Sequence, residues 1–188
     1  RRGSWRCLDY YVSQEMSGHG DAIWSSGELV ASRILDRRID VEGLRVLECG
    51  AGAALPSIAA SRKGARLVVA TDAPTPASIF CLSLSAKTHG FEARPLLWGN
   101  VLDDEPRFDL VQVADCVYNP EHHASLLHTI KLSLDNDESR ALVAFAFHGN
   151  APDEKILGFF SLAENTGLRV HYEGATQMHP TESMKHTC

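Results

Sequence analysis

The chain has 188 residues, of which 44% are hydrophobic and 22% are charged, and its formal net charge is −6. This composition is that of one ordinary globular domain, and no apolar run approaches the roughly 20 residues that a membrane-spanning helix needs. The negative charge argues against a general nucleic-acid binder and favours a basic protein partner. We therefore expect neither a membrane nor a nucleic acid among its partners.

Five cysteines are scattered along the chain, at positions 7, 49, 81, 116 and 188. None of them has a Cys-x-x-Cys spacing, so the sequence predicts neither a disulfide framework nor a zinc site. This pattern fits a reducing compartment inside the cell, and we expect a cytoplasmic protein. Because the first residue is Arg1 rather than methionine, we expect the natural chain to begin further upstream.

The predicted elements begin with a helix, which follows an N-terminal extension of residues 1–24. Ser25 and Glu28 have the spacing of a capping box, and an apolar stripe from Val30 to Leu35 follows. Further helices are predicted at 55–63, 76–89, 120–134 and 152–166, with glycine or proline at most of their ends. Strand-like apolar runs lie at 45–49, 66–72, 93–98, 108–115, 140–148 and 168–178.

This alternation of strands and helices predicts a Rossmann-like α/β domain over residues 25–188. Parallel strands need long crossover connections, which are right-handed and are usually helices, so we expect a mostly parallel sheet with helices on both faces. Ligands bind such sheets beyond the carboxyl ends of the strands. The residues that follow each strand are therefore the candidates for function.

A loop with two glycines follows the first predicted strand. Glu48 lies near the end of the strand, and Gly50 and Gly52 lack the side chains that would keep a ligand away from the backbone. A dinucleotide-binding fingerprint would have a third glycine at position 55, where this chain has Leu55. The acid followed by Gly-x-Gly instead resembles the first motif of S-adenosylmethionine-dependent methyltransferases. The alternative is a tight strand-to-helix turn that binds no ligand.

The ends of the next two strands carry further candidates. Asp72 lies 20 residues beyond Gly52, where a carboxylate can accept hydrogen bonds from both ribose hydroxyls of NAD or S-adenosylmethionine. Trp98 and Asn100 follow the third strand, where the indole would pack on adenine and the amide would read its edge. The structural alternatives are a turn residue for Asp72 and a half-buried core residue for Trp98.

The fourth strand delivers Asp115 and Tyr118 to the same edge of the sheet. A carboxylate there can hold an amine through a charge-assisted hydrogen bond, and the tyrosine can line an amine channel while its hydroxyl adds a contact. We predict that these two residues are catalytic and orient the reacting nitrogen. The alternative is that Asp115 only caps a turn and that Tyr118 only packs.

The histidines do not predict a metal site. His122 and His123 are adjacent and His128 follows five residues after His123, so none of them forms an i, i+4 ligand pair. We expect these three residues at the surface or at the rim of the substrate site. His148 follows the fifth strand and lies closer to the predicted cleft, and we expect a structural role for it.

Five motifs in order resemble the family 16 lysine methyltransferases, and the resemblance covers about residues 19–178. They are Ile23-Trp24, the segment Glu48 to Pro56, Thr71-Asp72, the segment Leu97 to Asn100, and the segment Asp115 to Tyr118. The residues after the second and fourth strands look most like one branch of this family. That branch, formerly named nicotinamide N-methyltransferase-like, methylates translation elongation factor 1-alpha at its N-terminus and at an adjacent lysine.

The resemblance implies a seven-strand, class I enzyme that uses S-adenosyl-L-methionine, releases S-adenosyl-L-homocysteine and needs no metal. It places Trp24 beside the cofactor and implies a backbone contact from Ala114. It also implies that Asp115 and Tyr118 form the family's Asp-x-x-Tyr signature beside the target nitrogen. Together with the residues above, the predicted cofactor-binding set is Trp24, Glu48, Gly50, Gly52, Asp72, Trp98, Asn100 and Ala114. One departure is the tail at 181–188, which is too short and polar for the family's final antiparallel hairpin.

These observations predict an S-adenosylmethionine-dependent N-methyltransferase that acts on a protein amine, either a lysine or an N-terminal amine. We expect a basic, translation-related substrate protein and a monomeric enzyme. Two alternatives remain open: a small-molecule N-methyltransferase, and a non-catalytic Rossmann-fold module that binds a partner.

Overall fold

The computed structural model describes residues 2–6, 8–12, 22–104 and 107–176 of the chain. A short antiparallel hairpin of β1 (Arg2–Trp5) and β2 (Leu8–Tyr11) comes first. One sheet then contains β3 (Arg45–Cys49), β4 (Leu67–Asp72), β5 (Glu92–Pro95), β6 (Leu110–Ala114) and β7 (Arg140–Ala144). Its spatial order is β5-β4-β3-β6-β7, and all four pairings are parallel. The strand order reverses at β3, and ligands bind at such a switch point.

The helices are α1 (Ser25–Leu35), α2 (Leu55–Arg62), α3 (Pro76–His89), α4 (His123–Ser133) and α5 (Asp153–Asn165). Alternate residues of the strands face opposite sides of the sheet. Val46 and Val68 belong to one buried cluster with α1, α2 and α3, whereas Leu47 and Val69 belong to a second cluster with α4 and α5. This confirms the predicted fold class, with helices on both faces. In the described part of the chain, no helix is both long and apolar enough to cross a bilayer.

The N-terminal hairpin packs on the sheet domain. Leu8, Tyr10 and Val12 are buried in the same cluster as α1 and α2. The backbone carbonyl of Asp9 lies 2.5 Å from the Nε2 of His89, at the end of α3. Part of the predicted N-terminal extension therefore contributes to the hydrophobic core.

The ends of α3 follow the sequence prediction. Thr75 accepts a hydrogen bond from the backbone N–H of Ser78 at 3.2 Å, and Gly90 ends the helix in a left-handed conformation, with φ of 75°. Asn119 likewise accepts from the backbone N–H of Glu121 at 3.1 Å. The helix predicted at 120–134 is divided, because its first turn, Pro120–His122, is a 3₁₀ helix.

Two predictions about secondary structure are wrong. Ser25 is not a cap: Trp24 occupies the N-cap position without a side-chain capping bond, and Glu28 is buried. Residues 168–176 form no strand, and the rest of the strand predicted at 168–178 lies outside the described residues. Glu173 of this segment forms an ion pair with Arg33 of α1, at 3.3 Å.

Three strands end earlier than predicted, for reasons that matter to the site. β6 ends at Ala114 because Asp115 adopts a left-handed φ of 59°. β5 ends at Pro95 before the turn that carries Trp98. β7 ends at Ala144, and the backbone N–H of Ala146 donates to the Asp115 side chain instead of a neighbouring strand.

Candidate active site

A cavity of about 600 Å³ opens where β3, β4 and β6 end. This volume lies in the range of small-ligand and cofactor sites. Nine of the ten predicted site residues line it: Trp24, Glu48, Gly50, Gly52, Asp72, Trp98, Ala114, Asp115 and Tyr118. The structure therefore brings together residues from the ends of β3, β4 and β6, from the turn after β5 and from the start of α1.

The glycine loop brings bare backbone to the cavity. Gly50 and Gly52 have φ values of 67° and 49°, a region that favours glycine. A Cβ atom at Gly50 would lie 2.6 Å from the Sγ of Cys116, so any larger residue there would force the surrounding atoms to shift. A Cβ atom at Gly52 would meet no atom within 4 Å beyond its chain neighbours, which leaves open space beside this part of the backbone. A ligand can therefore approach the loop closely.

Asp72 ties this loop to the end of β4. Its Oδ2 accepts a hydrogen bond from the backbone N–H of Gly52 at 2.7 Å, and its Oδ1 accepts from the N–H of Ala73 at 2.7 Å. Burial raises the pKa of Asp72, although these two donors act in the opposite direction. Each carboxylate oxygen has two acceptor positions, so one position on each oxygen remains for hydroxyl donors of a ligand.

Glu48 is almost fully buried at the end of β3, with 1% of its surface exposed. Its carboxyl group accepts from the backbone N–H of Ser57 at 2.9 Å and from the Ser57 hydroxyl. Ala54, the N-cap residue of α2, offers no capping side chain, so Glu48 pairs one of the free N–H groups at the helix start. Burial raises the pKa of Glu48 to about 8, and the neighbouring charge of Asp72 adds to this effect. At pH 7 the carboxyl group is therefore mostly protonated.

Asp115 is held by donors from two distant segments. Its Oδ1 accepts from the backbone N–H of Ala146 at 3.1 Å and lies 2.9 Å from the Nε2 of His148. Its Oδ2 accepts only a long bond, 3.4 Å, from the backbone N–H of Ser26 in the first turn of α1. The backbone of Asp115 is in the left-handed region, with φ of 59°. Such strained conformations concentrate at functional sites, and aspartate tolerates this region better than most residues. The carboxylate is therefore oriented, and Oδ2 retains acceptor capacity.

Tyr118 lines the cavity beside Asp115. Its backbone carbonyl accepts from the Nδ2 of Asn150 at 2.8 Å, so the segment after β7 binds both residues of the Asp-x-x-Tyr motif. Burial raises the pKa of Tyr118, which keeps the phenol protonated and able to donate. We call the region of Gly50, Gly52 and Asp72 the glycine-loop side of the cavity, and the region of Asp115 and Tyr118 the Asp115 side.

The two tryptophans line different parts of this site. Trp98 approaches the glycine loop, since a Cβ atom at Gly50 would lie 3.1 Å from its Cζ2. Its ring meets that of His122 edge-on, with centroids 6.1 Å apart. Trp24 instead meets the ring of His148 edge-on at 4.9 Å. The Trp98 indole can thus pack against a flat ring near the glycine loop, whereas the Trp24 indole lies near the Asp115 side.

Asn100 does not line the cavity. Its side-chain amide donates to the backbone carbonyl of Leu97 at 3.1 Å, and its own carbonyl accepts from the hydroxyl of Thr129 at 2.8 Å. Both groups stabilise the turn that carries Trp98. The structure therefore places Asn100 in this turn and outside the lining of the cavity.

The histidines divide into three kinds. His122 lines the cavity and His128 is exposed, as expected for rim and surface positions. The same expectation is wrong for His123, which is 5% exposed and whose Nε2 lies 2.9 Å from the carbonyl oxygen of Val117. His148 contacts Asp115, a partner that no local pattern indicates. Among the described residues, no cluster of histidine, cysteine and acidic side chains is arranged to hold a metal.

Cys116 also lines the cavity, but it is not a nucleophile. Burial raises the pKa of its thiol well above the usual range, and the Sγ donates to the backbone carbonyl of Cys49 at 3.2 Å. Burial likewise raises the pKa of Cys49 to about 12. Reactive cysteines need an accessible thiolate, so these two thiols are inert packing groups. Cys7 and Cys188 lie outside the described residues.

The fold and the cavity define a Rossmann-like domain of the methyltransferase type. A TehB-like SAM-dependent methyltransferase from Corynebacterium glutamicum aligns with a TM-score of 0.60 and 20% identity, covering 76% of this chain and 74% of that one. A branched-chain polyamine synthase from Thermus thermophilus, solved with N4-aminopropylspermidine and 5'-methylthioadenosine, aligns with a TM-score of 0.64 and 22% identity. That alignment covers 84% of this chain and 45% of the synthase. At these identities the likeness concerns the fold alone.

The sequence comparisons establish the family. The profile of a family described as "Lysine methyltransferase" matches residues 10–165, and the chain belongs to this family. The "Protein N-terminal and lysine N-methyltransferase efm7" of Schizosaccharomyces pombe is 31% identical over 163 residues, which cover 79% of this chain and 64% of that protein. The relative of the same name from Candida albicans is 32% identical over 181 residues, covering 81% and 68%. The chain thus spans about two thirds of the length of these relatives.

Proposed function

We propose that this chain is an S-adenosylmethionine-dependent N-methyltransferase whose substrate is a protein amine, either a lysine side chain or an N-terminal amine. The observation that carries the proposal is the shared cavity, which is lined by a bare glycine loop with its acidic partner and by the Asp115–Tyr118 pair. The family and the names of the relatives agree with this chemistry.

The residues on the glycine-loop side fit the cofactor. The open space beside Gly52 accommodates a ligand against the main chain, and the remaining acceptor positions of Asp72 suit the two ribose hydroxyls. Trp98 supplies a flat apolar surface for adenine. Glu48, Trp24 and Ala114 line the remainder, which we assign to the methionine part. When bound, S-adenosylmethionine supplies a methyl group on a positively charged sulfur, which is an already activated leaving group.

The Asp115 side has to present a neutral amine in line with that methyl group. Alignment of two bound reactants accounts for a large part of such a rate enhancement. Asp115 accepts a hydrogen bond from the amine at its Oδ2, and the Tyr118 hydroxyl adds a second contact. Enclosure in the cavity disfavours the ammonium form, whereas the Asp115 carboxylate favours it, so the amine has to lose a proton to solvent before its lone pair can attack the methyl group. The product nitrogen releases its extra proton to solvent.

The proposal extends to the substrate. Its two amine classes are those in the names of the fungal relatives. The net charge of −6 suits a basic substrate protein. The resemblance described above favours a translation elongation factor as that substrate. We also propose that the enzyme is a monomer and acts in the cytoplasm.

Two measurements on the purified chain test this function. The melting temperature should rise with S-adenosylmethionine and with S-adenosylhomocysteine but not with NAD, because a ligand that binds only the folded state stabilises it. Labelled methyl groups should then pass from the cofactor to a protein band in a cell lysate, at lysine or at an N-terminus.

Each negative outcome has its own meaning. No melting shift with either methyl-donor ligand would leave a non-catalytic binding module. A shift together with methylation confined to the small-molecule fraction of the lysate would instead indicate a metabolite N-methyltransferase. The variant Asp72→Asn should lose most of the shift, whereas Asp103→Asn, at an exposed position outside the cavity, should keep it.

A further inference from the structure

We propose that His148 is a positioning residue for methyl transfer: it donates a hydrogen bond to Asp115 and holds the carboxylate in the orientation that receives the substrate amine. This inference rests on the proposed function. It assigns a role to a side chain that does not line the cavity and that the Asp-x-x-Tyr motif does not include.

The hydrogen bonds of Asp115 divide between its two oxygens. Oδ1 has two donors at ordinary distances, the N–H of Ala146 at 3.1 Å and the ring of His148 at 2.9 Å. Oδ2 has only the 3.4 Å contact from Ser26. Since a carboxylate oxygen accepts about two hydrogen bonds, Oδ1 is saturated and Oδ2 is the oxygen left for an incoming amine. His148 therefore selects which oxygen serves the substrate.

The chemistry of the pair assigns the donor. An ionised carboxylate only accepts hydrogen bonds, so the proton of the contact lies on the Nε2 of His148. The Asp115 side chain is 4% exposed and that of His148 is 27% exposed, and a charged acceptor shielded from water gains more from a directed donor than an exposed one.

One further contact involves the histidine itself, and another anchors the segment that carries it. Its ring packs edge-on against Trp24, with centroids 4.9 Å apart and an interplanar angle of 72°. Asn150, two residues further along, binds the carbonyl of Tyr118 at 2.8 Å. The segment after β7 is thus attached to both ends of the Asp-x-x-Tyr motif, and His148 lies between cavity-lining Trp24 and Asp115.

Two substitutions separate the hydrogen bond from the ring packing. His148→Phe retains an aromatic ring beside Trp24 but removes the donor. His148→Gln removes the ring but places an amide N–H near the former Nε2. We expect kcat to fall about 10- to 100-fold in His148→Phe, because a misaligned reactant loses rate steeply, and to remain within about threefold of the wild type in His148→Gln. The dissociation constant for S-adenosylhomocysteine should stay within about twofold in His148→Phe, which keeps a ring against Trp24 and leaves the glycine-loop side untouched.

The matched control is His128→Phe, the same substitution at an exposed position on α4 outside the cavity, which should leave kcat unchanged. A His148→Phe variant with wild-type kcat would overturn the proposal, as would equal losses in His148→Phe and His148→Gln. Loss of S-adenosylhomocysteine binding in His148→Phe would also overturn it, because the role would then be general support of the fold.

A second measurement does not depend on turnover. In ¹⁵N-histidine spectra of the wild-type chain, His148 should carry its proton on Nε2, and this signal should be absent from His148→Phe and displaced in Asp115→Asn. A His148 ring without a proton on Nε2 would contradict the pairing. Failure of methyl transfer in the wild type, with the Nε2 signal intact, would instead count against the proposed function alone.

Discussion

The two sides of the cavity are built from partners at very different distances along the chain. On the glycine-loop side, Asp72 binds the backbone of Gly52, which is 20 residues away. On the Asp115 side, the carboxylate binds Ser26 and Ala146, which are 89 and 31 residues away. The glycine-loop side is assembled by a single strand-loop-helix unit with its neighbouring strand. The Asp115 side forms only when α1 and the segment after β7 meet.

This difference separates two kinds of substitution. A change on the glycine-loop side should alter cofactor affinity and leave the reaction of the bound complex intact. A change on the Asp115 side should do the opposite, because its groups face the amine. Substitutions on either side therefore test whether the two sides act independently, as residues without shared partners usually do.

The largest effect is expected from Asp115→Asn. Asparagine keeps the left-handed backbone of φ 59° and the shape of the side chain but removes the negative charge that holds the amine. We expect kcat to fall about 1,000-fold, because the amine loses the charged acceptor that aligns it with the methyl group. Isothermal titration should show S-adenosylhomocysteine affinity within about twofold of the wild type. Turnover near the wild-type rate would remove Asp115 from the mechanism.

The next effect concerns stability on the glycine-loop side. Gly50→Ala places a Cβ 2.6 Å from the Sγ of Cys116 in addition to forcing alanine to φ 67°, so the free energy of unfolding should fall by about 2–4 kcal/mol. Gly43→Ala is the matched control, because Gly43 has φ of 73° but no atom within 4 Å of the added Cβ. It should cost only about 1 kcal/mol in urea unfolding. Equal losses of unfolding free energy in the two variants would mean that Cys116 moves away from the added Cβ at Gly50 without cost.

Asp72→Asn should act on binding alone. Loss of the charge that accepts from Gly52 and from the ribose should raise the dissociation constant for S-adenosylhomocysteine about 10- to 30-fold. At saturating cofactor, kcat should remain within about twofold of the wild type. A large fall in kcat at saturating cofactor would show that the two sides of the cavity are coupled and do not act independently.

The smallest effect is a pH dependence that originates at Glu48. Its pKa is about 8 in the folded protein against an ordinary value of 4.5, so the folded chain holds more protons than the unfolded chain between these values. The free energy of unfolding should therefore fall as pH rises through this window, by about 1 kcal/mol per pH unit for this group. Urea unfolding at pH 6, 7 and 8 should show a flatter profile in Glu48→Gln than in the wild type. Parallel profiles would contradict the raised pKa.

Local sequence patterns predicted much of the fold. The strand Arg45–Cys49 and the helix Pro76–His89 have the bounds that the pattern of apolar residues, proline and glycine indicates. Such patterns act within a few residues, where propensity and capping dominate. They failed at 168–176, because a strand needs a ladder partner as well as a suitable sequence. They failed again at Ser25, since the preceding residue Trp24 begins the helix without a side-chain cap.

By itself the sequence determined that the ends of parallel strands carry Glu48, Asp72 and Asp115 to one edge of the sheet. It did so because short apolar runs define the strands, and parallel strands share a carboxyl edge. Only the tertiary structure decided which donors orient Asp115, that His148 is one of them, and that Asn100 turns back on its own loop. These contacts join segments that are distant in the chain, or depend on which way a turn faces, and no local periodicity encodes either.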